Sequence, residues 1–428
     1  MSAGGTITDL LIRFAGADVP EEAAAMMRLS LFDWAACGLA GAREEEFADF
    51  AQTQVALSRG GNVVLGGGGA SAPTAALING TLSHALDYDD THFAHIGHPS
   101  VAVVPAILAL SEDIKADMAE LIEAATIGVE ASILVGLWLG RDHYQVGYHQ
   151  TATAGAFGAT LGACRLLGFD EATLRAALGL CASMASGLKA QFGTMAKPLN
   201  AGLAARSGVE AALWAQAGMT AAPDGLAGPL GFGPTHHGMN APVSLPGKTW
   251  HISSISHKFH ACCHGLHATL EALGQADVDP AEIESLHIRT HPRWMTVCNI
   301  ADPETGLGAK FSYRQTAAMV LLGHRTGSIA SFTDGITQDP DIKALRQRIR
   351  VSEDDRLTET QAEVSVTLAN GAMRRFKHDL MAPMDIDTRA AKLRRKADAL
   401  LSRDRAAALW EAAQGEALRA FTAQLVRS

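Results

Sequence analysis

Within fourteen residues, Asp87-Tyr88-Asp89-Asp90-Thr91-His92-Phe93-Ala94-His95-Ile96-Gly97-His98-Pro99-Ser100, the chain places three acids, three histidines and a threonine hydroxyl. Imidazole titrates nearest neutrality of the common side chains. In a cleft it can give or take a proton, and when protonated it can hold a carboxylate. The acids and Thr91 could instead cap a helix beginning near Pro99-Ser100. Capping would account for the oxygens but not for three histidines in seven residues, so the loop reads as a working one.

Two later segments are also rich in histidine: His143 to His149, and His257-Lys258-Phe259-His260-Ala261-Cys262-Cys263-His264-Gly265-Leu266-His267. In the second, His260 and His264, or Cys263 and His267, stand four apart, as paired zinc ligands do on a helix face. No HExxH or CxxC framework accompanies them, and anion binding by Lys258 with an imidazole is the preferred reading. Lys197 precedes Pro198 at an expected helix boundary, and Tyr313, one of four tyrosines, opens an expected helix. Taken alone, these two read as a turn lysine and a packing residue. The run Gly66 to Gly69 lacks the strand and Gly-Lys-Ser/Thr pattern of a phosphate loop and reads as a turn.

Helices must carry these groups through the first 250 or so residues. Asp18-Val19-Pro20-Glu21 has the form of a helix start, followed by Met27, Leu31 and Trp34 on one face. Thr151 to Leu167 is dominated by Ala, Gly and Thr, which lets helix axes approach closely, and is expected as a buried central helix. Ser207-Gly208-Val209-Glu210 repeats the capping signature ahead of Ala211 to Ala217. Beyond about residue 250 the texture changes. Ser285 to Thr290 and Ala362 to Leu368 alternate as strands do, Asn370-Gly371 is a hairpin turn pair, and Met373 to Lys377 is the expected return strand. A helix is expected over Gln315 to Gly323, and another from Thr388 onward packing back on the first part. The fold class is therefore mainly α: a large all-helical domain over 1–252, completed by 389–428, with a smaller α+β lid domain inserted over 253–388.

With 428 residues, 48% of them hydrophobic, the chain can bury a large core. A net charge of -10 argues against a broad nucleic-acid surface or an anionic membrane as partner. Met1 to Leu10 shows no basic region followed by an apolar core. Val101 to Leu110 and Ala131 to Leu139 fall short of the ~20 apolar residues that span a bilayer. Six sparse cysteines fit a reducing compartment, and a cytoplasmic location is expected.

In order along nearly the whole chain, Asn79-Gly80, His84-Ala85-Leu86-Asp87 through Thr91, His98-Pro99-Ser100, Tyr148-His149, Thr153 to Gly158, Lys197-Pro198-Leu199, the Lys258 to His267 block and Phe311-Ser312-Tyr313 resemble the MmgE/PrpD family. The resemblance implies a helical domain with an α+β lid, no metal or organic cofactor, a homodimer, and a site between domains for a small di- or tricarboxylate. It places catalytic positions on Asp87, His98, His149, Lys197 and Tyr313. For substrate binding it implies Thr91 and a lid histidine, His267 ahead of His264, to which the reading of the residues themselves adds His95 and Lys258. It further implies proton transfer beside a carboxylate, with a 2-methylcitrate dehydratase-like hydro-lyase first. An iminodisuccinate epimerase-like or cis-aconitate decarboxylase-like enzyme follows, and a noncatalytic carboxylate-binding protein is the non-enzyme alternative. Asn200 departs from the family pattern, standing where a histidine is common.

Overall fold

The computed structural model describes residues 5–426; residues 1–4, on which part of the leader reading falls, lie outside the described residues. The protein is mainly α, with nineteen α-helices and six short strands among those residues. It divides into two compact units, one running to His257 and resuming at Leu401, the other Lys258–Leu400.

The first unit is helical: α1 (Ile7–Ala15), α2 (Glu21–Gly41), α3 (Glu45–Leu57), a two-stranded ribbon of β1 (Asn62–Val63) and β2 (Gly69–Ala70), α4 (Ala72–His84), α5 (Ser100–Ile114), α6 (Met118–Val146), α7 (Gln150–Leu166), α8 (Glu171–Ala182), α9 (Ala196–Gln216) and the single turn α10 (Phe232–Thr235). Helices Arg403–Gln414 and Leu418–Leu425 complete it. The glycine run is the turn between β1 and β2, with Gly66, Gly67 and Gly68 all at positive φ, a region that side chains with a β-carbon resist. α7 is the buried central helix expected from its small residues.

Two helix starts differ from expectation. Pro20, not Asp18, occupies the N-cap of α2 and supplies no side-chain bond, because the acid lies two residues too early. α9 begins at Ala196, so Ser207 to Glu210 lies inside the helix, where Glu210 accepts from Arg206 Nε at 2.9 Å instead of closing a cap. Pro198 is tolerated because the first turn has no intrahelical acceptor for its missing N–H. α6 opens with a reciprocal capping box between Asp117 and Glu120. It is the one helix among the described residues long and apolar enough to cross a membrane. Its apolar window is 89% buried within the protein, as a core helix is.

Glycine sets how closely α4 and α9 cross. A β-carbon on Gly80 would stand 2.8 Å from Gly202 Cα, and one on Gly202 would stand 2.2 Å from the Leu77 carbonyl oxygen, which cannot move aside. Gly202→Ala is expected to destabilise the protein by about 1–3 kcal/mol. Denaturant unfolding should show this as a lower midpoint at unchanged slope.

In the second unit, α11 (His267–Leu273), β3 (Ile283–Thr290), α12 (Pro292–Met295), α13 (Gly306–Ala309), α14 (Tyr313–Leu321), α15 (Asp334–Gln338), α16 (Pro340–Arg346), β4 (Ile349–Glu353), β5 (Gln361–Leu368), β6 (Met373–Asp379) and α17 (Ile386–Leu400) surround a sheet of order β4-β3-β5-β6. β5 alternates buried and half-buried residues, as its sequence predicts, and Gly371 at φ +81° makes the hairpin turn to β6. β4 pairs parallel with β3 and was not expected. α17, expected with the helical domain, lies in this unit, where Lys392 pairs with Glu271 and covers the Phe259 ring at 4.8 Å.

Candidate active site

Four segments of the first unit bring the expected groups together: the C-terminal end of α4 with His84, the loop to α5, the start of α7 with His149, and the start of α9 with Lys197. The loop's three acids divide the work. Asp90 is the cap, accepting from the Ser100 backbone N–H at 3.3 Å and from its hydroxyl at 2.5 Å. Asp89, buried, accepts from His84 Nδ1 at 2.9 Å on one oxygen and from His98 Nδ1 at 2.7 Å on the other. Asp87 sits in the left-handed region at φ +49°, which an aspartate tolerates better than most residues, and is half-exposed. Its Oδ1 lies 2.7 Å from Lys197 Nζ and 3.4 Å from His98 Nε2.

His98 therefore has a carboxylate oxygen facing each ring nitrogen. Carboxylates only accept, so only an imidazolium offers both of them a proton. Burial alone would raise the pKa of Asp89, but the imidazoles of His84 and His98 outweigh it and hold the acid well below the usual carboxylate range. Asp90, with burial its main influence and the charges of Asp89 and Asp33 adding to it, is pushed up to about 7.

His149 is buried at the N-cap of α7, its ring near-parallel to His84 at 6.0 Å and edge-on to Phe192 at 5.0 Å. Asn200 Nδ2 donates to its Nδ1 at 3.2 Å and lies 3.4 Å from the Leu188 carbonyl. That carbonyl also demands a donor, so the amide is oriented and His149 Nδ1 must accept. Burial first, then the charges of His84, Lys197 and His98, hold its pKa well below the usual value. Neutral His149 thus carries its proton on Nε2. Lys197 Nζ lies 5.5 Å from the Phe192 ring.

Sequence reasoning passed over Asp89 and His84 as site residues and met Asn200 only as a departure. No spacing signal separates Asp89 from its neighbours, whereas His84 stands three residues before Asp87 in the motif. His95, expected among the substrate-binding positions, lies deeper than the rest. It is fully buried, its ring against Gly136 with Nδ1 2.1 Å from where a β-carbon there would stand, and burial lowers its pKa to about 3. It packs in the core of the loop. Thr91 exchanges backbone hydrogen bonds with Ser256 and donates its hydroxyl to the Ser256 carbonyl at 3.3 Å, so its proton is spent on the fold.

In the second unit, Lys258 is buried and His264 is partly exposed. His267 is buried at the start of α11, its Nε2 3.3 Å from the Cys262 carbonyl. Burial, then His264, His260 and Lys258, push its pKa well down. Tyr313, expected among the catalytic positions, is tied into this unit. Its buried hydroxyl donates to the Gly265 carbonyl at 2.7 Å and pairs with Thr290 at 2.8 Å. It holds the histidine turn in place.

One ligand atom each from His84, Asp87, Asp89 and His98 lies within 4.8 Å of the others, a spacing that could hold a metal ion. Here both acids already face N–H donors or an ammonium group, so the set suits proton handling without an ion.

The buried groups also set a pH dependence. Six histidines of the first unit have lowered pKa values from burial: His92 and His143 to about 4, His95 to about 3, and His149, His236 and His251 by direction. Between about pH 5 and 6 the unfolded chain binds protons there that the fold refuses, so stability rises with pH. Asp90 and Glu130, raised to about 7, and Glu112, also raised, act with the opposite sign. The histidines outnumber them, and the free energy of unfolding should rise from pH 5 to pH 6. Denaturant titrations at the two pH values check this; a fall would contradict it.

The MmgE/PrpD N-terminal domain matches residues 6–242 and the MmgE/PrpD C-terminal domain residues 260–416. The chain is similar to a cis-aconitate decarboxylase of Aspergillus terreus, 30% identical over 276 residues covering 60% of this chain and 56% of that protein. It is also similar to cis-aconitate decarboxylases of Mus musculus and Homo sapiens, each 26% identical over 77% of this chain and 72% and 73% of theirs. The chain thus spans little more than half the length of the fungal relative. With both domain matches in order and together covering most of its length, the chain belongs to the MmgE/PrpD family.

Proposed function

We propose that the protein is a lyase acting on a small polycarboxylate through side-chain acids and fixed charges, with decarboxylation of a cis-aconitate-like tricarboxylate as the first reading. The observation that carries it is the excess of proton donors in the first unit: His98 between two carboxylates, Nε2–H of neutral His149, and the Lys197 ammonium. Loss of CO2 leaves a carbanion that needs a proton delivered and its negative charge held, which donors and an ammonium group supply. The cis-aconitate decarboxylases among the relatives support the same reading.

Dehydration, the first expectation from the sequence, begins instead by removing a proton from carbon and needs a base. His84 keeps that second reading open. Its Nδ1 is held by Asp89, and its buried Nε2 has no hydrogen-bond partner among the described residues, the position from which a base would have to act. Incubation with cis-aconitate, 2-methylcitrate, citrate and iminodisuccinate, followed by NMR and CO2 detection, separates the outcomes. CO2 release from cis-aconitate supports the first reading, and water loss from 2-methylcitrate the second. Calorimetric binding without turnover or deuterium exchange would support a noncatalytic carboxylate binder.

A further inference from the structure

We propose that Cys263 and Cys298 form a peroxide-responsive site that closes reversibly to a disulfide beside the histidine turn of the second unit. The two sulfurs lie 3.1 Å apart, with the Cys298 thiol donating to Cys263, and all six cysteines are free. A disulfide needs ~2.05 Å, so a shift of about 1 Å closes the bond. Of the six, only Cys263 is partly exposed; the others are buried.

The pair is asymmetric in the way such chemistry requires. Cys298 is buried, and the hydrogen bond to Cys263, followed by burial, raises its pKa strongly. It keeps its proton and stabilises negative charge on Cys263, the sulfur that solvent reaches. Lys258 and Lys310 place positive charge around the adjacent Cys262, and the Cys263 N–H is held by the Lys310 carbonyl at 3.0 Å.

The co-reactant is hydrogen peroxide or a small hydroperoxide. Cys263 thiolate attacks one peroxide oxygen, an S–O bond forms, the O–O bond breaks, and the leaving hydroxide takes a proton to become water. Cys298 sulfur then attacks the sulfenic sulfur of Cys263, passing its proton to the departing oxygen. The S–S bond forms, the S–O bond breaks and a second water leaves. Two thiols and one peroxide give one disulfide and two waters, and a dithiol reverses the step by exchange.

The site is coupled to the groups around it. Cys263 is the N-cap of the turn His264–Leu266, the Gly265 carbonyl of that turn accepts from Tyr313, and the Cys298 carbonyl accepts from the Tyr313 N–H at 3.2 Å. A β-carbon on Gly265 would stand 3.0 Å from Cys298 Sγ. Closing the disulfide therefore draws the His264 turn toward Cys298. The chemical step does not rest on the lyase reading; only an effect on turnover would.

Full-length protein treated with one equivalent of hydrogen peroxide should lose two titratable thiols and two hydrogens in mass. A cross-link should join the tryptic peptides Phe259–Arg289 and Trp294–Lys310, and dithiothreitol should restore both thiols. Cys263→Ser and Cys298→Ala should each abolish the cross-link while Cys262→Ser keeps it. Cys298→Ala should accumulate a dimedone-trappable sulfenic acid on Cys263. Retained thiols in the wild type, oxidation of Cys263 without the cross-link, or a link through Cys262 would each overturn the proposal. The wild-type readout decides even if a variant fails to fold.

Discussion

A His98→Gln enzyme is expected to turn over its substrate about 10²–10⁴-fold more slowly than the wild type, with the helical circular dichroism unchanged. His98 stands between Asp89 at 2.7 Å and Asp87 at 3.4 Å, and its own backbone N–H is held by Thr151 Oγ1 at 3.0 Å. Glutamine can fill the space and donate a hydrogen bond, but its amide carries no proton to deliver. The loss should therefore fall on kcat, with a smaller change in KM. Steady-state kinetics on folded protein measure it. Wild-type rates would remove His98 from the mechanism and leave His149 as the donor.

Lys197→Ala should lower kcat/KM by about 10²–10³-fold, mostly through a higher KM. Lys197 Nζ lies 2.7 Å from Asp87, on the half-exposed side of the cluster where an anionic substrate can approach. Alanine removes the fixed positive charge and also leaves Asp87 to repel a polycarboxylate. Both effects weaken ground-state binding, and loss of charge at the developing carbanion lowers kcat as well. An unchanged KM would show that the substrate's carboxylates are held elsewhere.

Much of the fold was legible because its signals are local. The small residues of α7, the alternation of β5 and the Asn370-Gly371 turn each fix a backbone outcome without reference to distant residues. Where the same local pattern has two outcomes, reading it failed. Ser207 to Glu210 satisfies a capping template yet lies within a longer helix, and α17 has an amphipathic pattern that does not say which unit it covers.

The site was legible at the level of the segment and less so at the level of the residue. Asp87, Asp89 and Asp90 are near-equivalent in sequence. Only the packed loop assigns one to Lys197, one to two histidines and one to Ser100. His95 looks like its neighbours until Gly136 is seen to open the space its ring fills. Tyr313 drew notice for its rarity, which does not distinguish an exposed acid from a buried strut holding Gly265.

The most direct test of the account is the protonation of His98 in the resting protein. With uniform nitrogen-15 labelling and the His98→Gln variant to assign the signals, both ring nitrogens of His98 should carry protons at neutral pH, the state that the two facing carboxylates favour. A neutral His98 with a single N–H on Nδ1, its Nε2 left as a lone pair, would make it a base rather than a donor and would contradict the proton-delivering site proposed for this protein.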